Sequence, residues 1–292
     1  MSPSLTSRAV VGLLRVAGVK KRQFKPDRFL AELPNPTPPR LPGVTVLREE
    51  FEGWTVYRLT PANPTRHYAV YIHGGAWAAP ITRQHWRLAA RIAGETGREV
   101  VLPLYPRLPT ATHADVLPVM LRLSQHVQEQ GPTALIGDSA GGTIALSVLQ
   151  ALTPQHRRPD VTILISPALD LTFTNPEIAD IAAHDPLLNL EHIRVLAARW
   201  AAPADPSHPR TSPLGGHLDD LGPVHVYAGT RDALFPDAVL LRDRAENVAG
   251  TDLHLHVGDG MIHDWPIMPT PEGRRTAGEI ITLLRGAGDH LT

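Results

Sequence analysis

Short apolar runs alternate with longer amphipathic stretches along most of the chain. The amphipathic stretches repeat with the helical period of about 3.6 residues, and the short runs fit buried strands. This alternation predicts an α/β fold whose mostly parallel sheet is covered by helices on both faces. The predicted strands are residues 44–50, 54–60, 68–73, 100–104, 134–137, 161–165, 224–228 and 253–257. The predicted helices are residues 8–19, 82–96, 114–129, 140–152, 189–201, 237–249 and 272–285.

Two segments interrupt the alternation. Residues 33–43 contain five prolines, which fix the backbone and remove hydrogen-bond donors, so this stretch is predicted to be a stiff connector. Residues 171–222 are rich in Pro, Ala and His and hold one predicted helix, so we interpret them as an insertion over the sheet edge. Glu52-Gly53 separates the first two predicted strands and indicates a hairpin.

Composition excludes several classes of protein. Hydrophobic residues make up 42% and charged residues 20% of the 292 residues, a balance that excludes intrinsic disorder. The absence of cysteine excludes disulfides, thiolate metal sites and a catalytic thiol. A formal net charge of −1 argues against nucleic acid as a partner.

The sequence also bears on location. No stretch has the length and flanks of a secretory signal or a membrane span, so we expect a cytoplasmic protein without stable membrane insertion. All three lysines, Lys20, Lys21 and Lys25, cluster with Arg22. This cluster is interpreted as a solvated helix end, with contact to acidic lipid as the alternative.

Residues 137–142, GDSAGG, carry the first chemical signal. They follow the predicted strand 134–137 and precede the predicted helix 140–152, which is the context that a G-x-S-x-G nucleophile elbow needs. The flanking glycines let the chain turn so sharply that the Ser139 hydroxyl is lifted above the sheet. The Ala140 amide, at the start of the helix, would then face an incoming oxyanion. Ser139 is therefore the predicted nucleophile.

A glycine-containing loop follows the third predicted strand. Its sequence, HGGAW at residues 73–77, has the form of the oxyanion loop of lipases and esterases. Glycine leaves backbone amides open to a ligand, so the amides of Gly74 and Gly75, with that of Ala140, are the predicted oxyanion hole. His73 is expected to organise the loop through hydrogen bonds rather than to act as a base.

An acid and a base follow the serine in the order that this kind of fold requires. Asp232 stands after the strand 224–228, just before a helix, and is the predicted acid. His263 lies on the loop after the last predicted strand, where Asp232 could hold its ring, and is the predicted base. Asp170, which follows the strand 161–165, is the competing acid.

Other polar side chains near these strands have simpler interpretations. Asp237 follows Pro236 and is expected to start a helix. His254 and His256 alternate along a strand and face the same side, so a two-histidine metal pair is one interpretation. No third ligand stands at a suitable spacing, so we expect a half-exposed strand face and no metal or cofactor.

Six motifs stand in order along the chain: HGGAW (73–77), LYPRLP (104–109), GDSAGG (137–142), SPALDLT (166–172), GTRDALFPD (229–237) and MIHDW (261–265). Together they resemble the hormone-sensitive-lipase-like family of α/β-hydrolases, from about residue 44 to the C-terminus. The resemblance implies an eight-stranded, mostly parallel sheet with a helical cap over the active site. The implied cap consists of residues 1–43 and 171–222, and the implied core of residues 44–170 and 223–292.

Members of this family look like carboxylesterases that act on short to medium acyl chains without a cofactor. The resemblance implies a catalytic triad of Ser139, Asp232 and His263. The residues that flank this triad in sequence and are expected to line the substrate pocket are Trp77, Ile262 and Trp265.

Two positions depart from the family pattern. Ala76 replaces the third glycine of the oxyanion loop and, with Trp77, would narrow the pocket. Asp264 follows the predicted base, where relatives often carry an apolar residue or glycine. A carboxylate close to His263 and poorly screened would raise the pKa of that ring, whereas one pointing to solvent would leave it unchanged.

The favoured function is hydrolysis of a small-molecule carboxylic ester through an acyl-enzyme. Hydrolysis of an amide, such as an N-formyl amide, is an alternative on the same triad. A small-molecule-binding protein that keeps the fold without the chemistry is a second alternative, and a metal hydrolase is the last. A homodimer is compatible with the sequence, which does not specify the oligomeric state.

Overall fold

An eight-stranded sheet forms the centre of the computed structural model, which describes residues 3–155 and 157–287. Its strands are β1 (Val44–Phe51), β2 (Trp54–Pro61), β3 (Tyr68–Ile72), β4 (Glu99–Leu104), β5 (Thr133–Asp138), β6 (Thr162–Ile165), β7 (Gly222–Gly229) and β8 (Thr251–Gly258). Their order across the sheet is β1-β2-β4-β3-β5-β6-β7-β8. β2 is antiparallel to β1 and β4, and the other neighbouring strands are parallel. The predicted mostly parallel sheet is confirmed.

Helices cover both faces of the sheet. They are α1 (Leu5–Val16), α2 (Val19–Arg22), α3 (Arg83–Thr96), α4 (His113–Gln128), α5 (Ala140–Leu152), α6 (Glu177–His184), α7 (Leu190–Ala201), α8 (Phe235–Ala245) and α9 (Pro271–Gly286). One apolar core joins the sheet to α4, α5, α7 and α8, and a second joins its other face to α3 and α9. No helix of the described residues is long and apolar enough to cross a membrane.

Two helices differ from their predicted limits by more than one residue, and the insertion holds a helix that was not predicted. The helix expected at 8–19 begins three residues earlier, because Ser4 caps it by accepting the Ser7 amide at 3.2 Å. The helix expected at 237–249 ends at Ala245, since the backbone of Glu246 leaves the helical region. The insertion was expected to hold one helix, which is wrong: it also contains α6, an eight-residue helix with only Ile178 and Ala182 buried.

A buried ion pair fixes the last helix to the sheet. Arg98, only 1% exposed, donates to Asp160 at 2.7 Å and to the Leu284 carbonyl of α9 at 2.9 Å. A third bond runs to the Tyr68 carbonyl at 3.1 Å. Because a lone buried charge costs roughly 3–5 kcal/mol, loss of either partner would weaken this junction strongly.

The N-terminal segment lies on the insertion and on the last helix. Lys20 donates to the Ala182 carbonyl, and Arg15 donates to that of His184 at 3.3 Å. At the other end of α1, the Ser4 amide and the Ser7 hydroxyl donate to the Glu272 carboxylate at 2.5 and 2.6 Å. Helix α1 is thus held at both ends by distant parts of the chain.

Candidate active site

Ser139 occupies the turn between β5 and α5 with φ 51° and ψ −119°. A non-glycine residue in this region carries about 1–3 kcal/mol of strain, so the surrounding packing must impose it. The packing is tight: a Cβ at Gly141 would lie 2.1 Å from the Ile72 carbonyl oxygen, and one at Gly137 would lie 2.3 Å from that of Gly141. Only glycines fit there, which explains the G-x-S-x-G spacing.

The three predicted triad residues come together at this turn. His263 Nε2 lies 3.0 Å from Ser139 Oγ, and His263 Nδ1 lies 2.9 Å from Asp232 Oδ2. A carboxylate accepts only, so Nδ1 carries a proton, and in the neutral ring Nε2 is free to accept one from the serine. Ser139 is 8% exposed and His263 4%, so the site is nearly closed to solvent.

The Asp232 loop is held by a carboxylate from the insertion. The Leu234 amide donates to Asp232 Oδ1 at 2.9 Å, and the Ala233 amide donates to Asp185 Oδ2 at the same distance. Asp185 Oδ1 in turn accepts the amide of Leu187 at 2.7 Å. Sequence reasoning missed Asp185; its signal was an Asp-Pro pair just after a helix, a common turn-forming pattern.

The competing acid, Asp170, stabilises a turn elsewhere. Its carboxylate accepts the amide and the hydroxyl of Thr172, at 2.9 and 2.8 Å, and the hydroxyl of Ser212 at 3.2 Å. Because these donors fix its orientation locally, the geometry favours Asp232 over Asp170 as the partner of His263.

Asp264 lies on the same side of the imidazole as the serine. Its Oδ2 is 3.4 Å from His263 Nε2, the nitrogen that faces Ser139. A left-handed backbone, with φ 55°, and a 2.9 Å bond from its amide to Ser166 Oγ hold it there. The side chain therefore points at the ring rather than to solvent, which decides the alternative that the sequence left open.

The two carboxylates control the charge of the ring. Burial lowers the pKa of His263, but Asp232 and Asp264 outweigh it and raise this pKa to about 10. Burial also raises the pKa of Asp264, and the negative charges of Asp138 and Asp232 add to that rise. Asp232 and Asp264 thus favour the charged form of the ring, while burial and the neighbouring carboxylates favour the neutral form of Asp264 itself.

The oxyanion loop differs from expectation at one amide. Gly74 N–H donates to Asp138 Oδ2 at 2.9 Å, so the prediction that it faces the oxyanion is wrong. The physical reason is that the carboxylate of Asp138, 0% exposed, must find donors within the protein. In residues 3–155 and 157–287, the amides of Gly75 and Ala76 donate no hydrogen bond. These two amides and that of Ala140 remain open to a ligand.

Two histidines secure this loop. His73 Nδ1 donates to the Gly74 carbonyl at 2.7 Å, and burial lowers the pKa of His73 to about 3, so the ring is neutral. His85 Nδ1 accepts the Thr82 amide at 3.0 Å, so its Nε2 carries the proton and donates to Asp138 at 3.1 Å. His73 thus organises the loop, as expected from the sequence.

The three residues expected in the substrate pocket lie in different surroundings. Trp77 is 1% exposed and stacks on Trp200 of α7, with ring centroids 6.2 Å apart. Ile262 packs with Val11 of α1 beside His263. Trp265 is buried in the core against α9, and its indole donates to Thr276 at 3.3 Å. The structure does not support Trp265 as a pocket wall, because its ring points into the core.

His254 and His256 belong to a stack of three imidazoles with His225. The His225–His254 and His225–His256 ring centroids are 5.0 and 5.2 Å apart, and His225 Nδ1 lies 2.9 Å from His256 Nε2. We call these three the histidine stack. Among the described residues, no group of three side chains is arranged to hold a metal ion.

Comparison with known proteins places this geometry in a family. A family model described as alpha/beta hydrolase fold matches residues 69–267. A triacylglycerol lipase of Mycobacterium tuberculosis is 34% identical over 250 residues, which cover 84% of this chain and 52% of the lipase. An acetyl-hydrolase of Streptomyces hygroscopicus is 31% identical over 243 residues, which cover 78% of this chain and 79% of that protein.

A solved structure agrees with these relatives. The crystal structure of an esterase from the bacterial hormone-sensitive lipase family superposes with a TM-score of 0.83 at 26% identity, over 98% of this chain and 99% of that one. The chain therefore belongs to the α/β-hydrolase fold family, and its resemblance to the hormone-sensitive-lipase-like branch is confirmed. It spans about half the length of the mycobacterial lipase.

Proposed function

We propose that this protein is a serine hydrolase that cleaves carboxylic esters of short to medium acyl chains through an acyl-enzyme. The observation that carries the proposal is the line from Ser139 through His263 to Asp232, with contacts of 3.0 and 2.9 Å. The esterase, lipase and acetyl-hydrolase names of its relatives support the same reaction class.

In the proposed reaction, His263 Nε2 takes the Ser139 proton as the serine oxygen attacks the ester carbonyl. Asp232 keeps the ring oriented and stabilises the imidazolium, which then protonates the leaving alcohol. Water attacks the acyl-enzyme with His263 again as the base, which releases the acid.

The proposed oxyanion hole consists of the amides of Gly75, Ala76 and Ala140. Gly75 and Ala76 have no acceptor within the described chain, and Ala140 is the first residue of α5, where the helix dipole favours negative charge. Each donor of this kind contributes about 2.7–4 kcal/mol to transition-state stabilisation in subtilisin. Asp138 acts as a positioning residue, because its bond to Gly74 holds the loop that carries two of these donors.

Replacement of the nucleophile tests the proposal directly. Ser139→Ala should abolish hydrolysis of p-nitrophenyl esters, since loss of the serine costs roughly 10⁶ in kcat in subtilisin, while circular dichroism stays unchanged. A fluorophosphonate should label the native protein and leave the variant unlabelled. Activity within tenfold of the native protein would contradict the assignment of Ser139.

The same assay separates the ester from the amide alternative. A p-nitrophenyl ester series from acetate to palmitate gives the acyl-chain profile, and an ester compared with its matched amide gives the bond preference. A larger kcat/KM for the amide would replace the proposed function by amide hydrolysis. Absence of both fluorophosphonate labelling and turnover in a folded protein would favour the binding-protein alternative. A cytoplasmic location and a homodimer stay predictions.

We further propose that residues 3–43 and 171–222 form the cap that limits substrate length. Val11 of α1 packs on Ile262, next to His263, and Trp200 of α7 stacks on Trp77 of the oxyanion loop. Deletion of residues 1–25 should therefore shift the acyl-chain profile toward longer esters. A truncated protein of equal stability and unchanged profile would argue against this role.

A further inference from the structure

Helix α1 is apolar on both its inner and its outer face. Val11 on the inner face is 7% exposed and packs with Leu187 and Ile262. On the outer face, Leu5 is 82%, Leu13 68% and Val16 89% exposed. A surface helix normally presents charged or polar side chains to water, so this outer face needs an explanation.

The exposed residues form one stripe rather than a scatter. At about 100° per residue, Leu5, Ala9, Gly12 and Val16 fall within about 60° of one another, and Leu13 follows about 40° further round. All five are exposed, and we call them the outer stripe. Helix α9 shows the usual arrangement, since its exposed positions include Arg274, Arg275, Glu279, Thr282 and Arg285.

Positive charge borders the outer stripe. Residues 3–30 carry seven cationic side chains and one carboxylate, Asp27, in a chain whose formal net charge is −1. Lys20 and Arg15 donate to carbonyls of the insertion, as described above. Within the described residues, no carboxylate pairs with the exposed side chains of Arg8, Lys21 or Arg22. These cations remain available to a partner.

We propose that the outer stripe and the cations beside it dock the protein on an anionic lipid surface. An exposed apolar stripe bordered by Lys and Arg is the chemistry of a helix that lies in the headgroup region of a bilayer. The apolar side chains would enter the acyl boundary while the cations contact lipid phosphates. This inference does not depend on the proposed ester hydrolysis, because it concerns binding alone.

Charge argues against other occupants of this surface. In a symmetric dimer built on the outer stripe, the cationic segments of the two copies would face each other and repel. A nucleic acid would pair with the cations but would leave Leu5, Leu13 and Val16 without an apolar partner. An anionic lipid surface offers both a negative charge and an apolar layer.

Co-sedimentation with vesicles tests the proposal. The full-length Ser139→Ala protein, which leaves lipid intact, should bind vesicles of phosphatidylglycerol and phosphatidylcholine and bind pure phosphatidylcholine much more weakly. High salt should weaken the binding, because screening acts on the cationic contribution.

Two sets of variants separate the apolar and the charged contributions. The triple variant Leu5→Gln, Leu13→Gln, Val16→Gln should lose binding by at least about tenfold. The double variant Lys21→Gln, Arg22→Gln should lose about 25-fold, at roughly fivefold per cation. The matched controls, Leu240→Gln on α8 and Arg83→Gln with Arg87→Gln on α3, should bind as the parent does.

Three outcomes would overturn the proposal. These are an absence of binding to anionic vesicles, equal binding of the triple variant and its parent, and a dimer in ultracentrifugation that the triple variant abolishes. The last result would assign the outer stripe to a second copy of the chain. The same variants, made in the protein that keeps Ser139, should hydrolyse a soluble ester at the rate of the unchanged protein. This result would show that the variants are folded, and it separates the binding test from the test of the proposed function.

Discussion

His263 and the histidine stack lie at the β7–β8 side of the sheet, and the pKa values of His263 and His225 are shifted in opposite directions. His263, on the loop after β8, has its pKa raised to about 10. His225, in the histidine stack on the strands themselves, has its pKa lowered to about 4. Burial lowers the pKa in both cases, so burial alone does not decide the charge.

The difference comes from the neighbours. Two carboxylates, Asp232 and Asp264, face the ring of His263 and favour its charged form. The other imidazoles of the stack face His225 and disfavour a second charge, while Asp252 opposes them only weakly. The same side chain is thus favoured in its charged form at one site and in its neutral form at the other.

Removal of the orienting carboxylate should have the largest effect. Asp232→Asn should lower kcat by about 10⁴, because an amide at this position no longer fixes the Nδ1–H tautomer. Asp170→Asn is the matched control and should stay within tenfold of the native protein. If Asp170→Asn lowered kcat more than Asp232→Asn did while both proteins stay folded, the acid would have been assigned to the wrong strand.

Removal of the second carboxylate, that of Asp264, should change the pH dependence of kcat/KM. Only neutral His263 accepts the serine proton, so kcat/KM should rise through an acid limb above the ordinary imidazole pKa of about 6.5. Asp264→Asn takes away one of the two charges that raise this pKa, so the acid limb should move to lower pH. A limb that stays in place would mean that the 3.4 Å contact has no electrostatic effect in solution.

The histidine stack should affect the pH dependence of stability, and this is the smallest of the expected effects. The unfolded chain binds a proton at His225 more readily than the folded protein does, so the free energy of unfolding should fall as pH falls from about 6.5 toward 4. The groups around the stack are Asp252, Tyr227 and Glu279, of which only the carboxylates favour charge.

His256→Gln removes the imidazole whose Nε2 lies 2.9 Å from His225 Nδ1 and should reduce this acid sensitivity. The loss of Tm between pH 7 and pH 5 should shrink by about 2–4 °C, the shift that ~1 kcal/mol produces in a domain of 150–250 residues. His126→Gln, at a half-exposed position on α4, serves as the control. An unchanged pH profile of Tm would show that the stack does not oppose protonation.

The sequence predicted the sheet well because its strands are bounded by strong local signals. Each core strand of the parallel region is a short apolar run between loops, and all eight strands occur where expected. Helix α6 escaped prediction because its burial depends on packing against distant elements: only Ile178 and Ala182 are buried, too few for a visible period.

The candidate triad was predictable because its spacing follows from the elbow and from the ends of β7 and β8. The detailed roles were not, since they depend on contacts between residues far apart in sequence. Gly74 was assigned to the oxyanion hole because glycine leaves its amide open to a ligand. That amide instead donates to the carboxylate of Asp138, 64 residues further along the chain. The Asp-Pro pair at Asp185 indicates a local turn, but it does not reveal the contact with the Asp232 loop, 48 residues further along the chain.

The bonds from Ser4 and Ser7 to Glu272 set an order of events during synthesis. Ser4 and its carboxylate partner are separated by 268 residues. At about 5–20 residues per second, α1 leaves the ribosome on the order of 10–60 s before its anchor does. During that interval the bonds that hold the Ser4 end of the helix cannot form. A chain terminated before residue 272 would leave its first helix without this anchor.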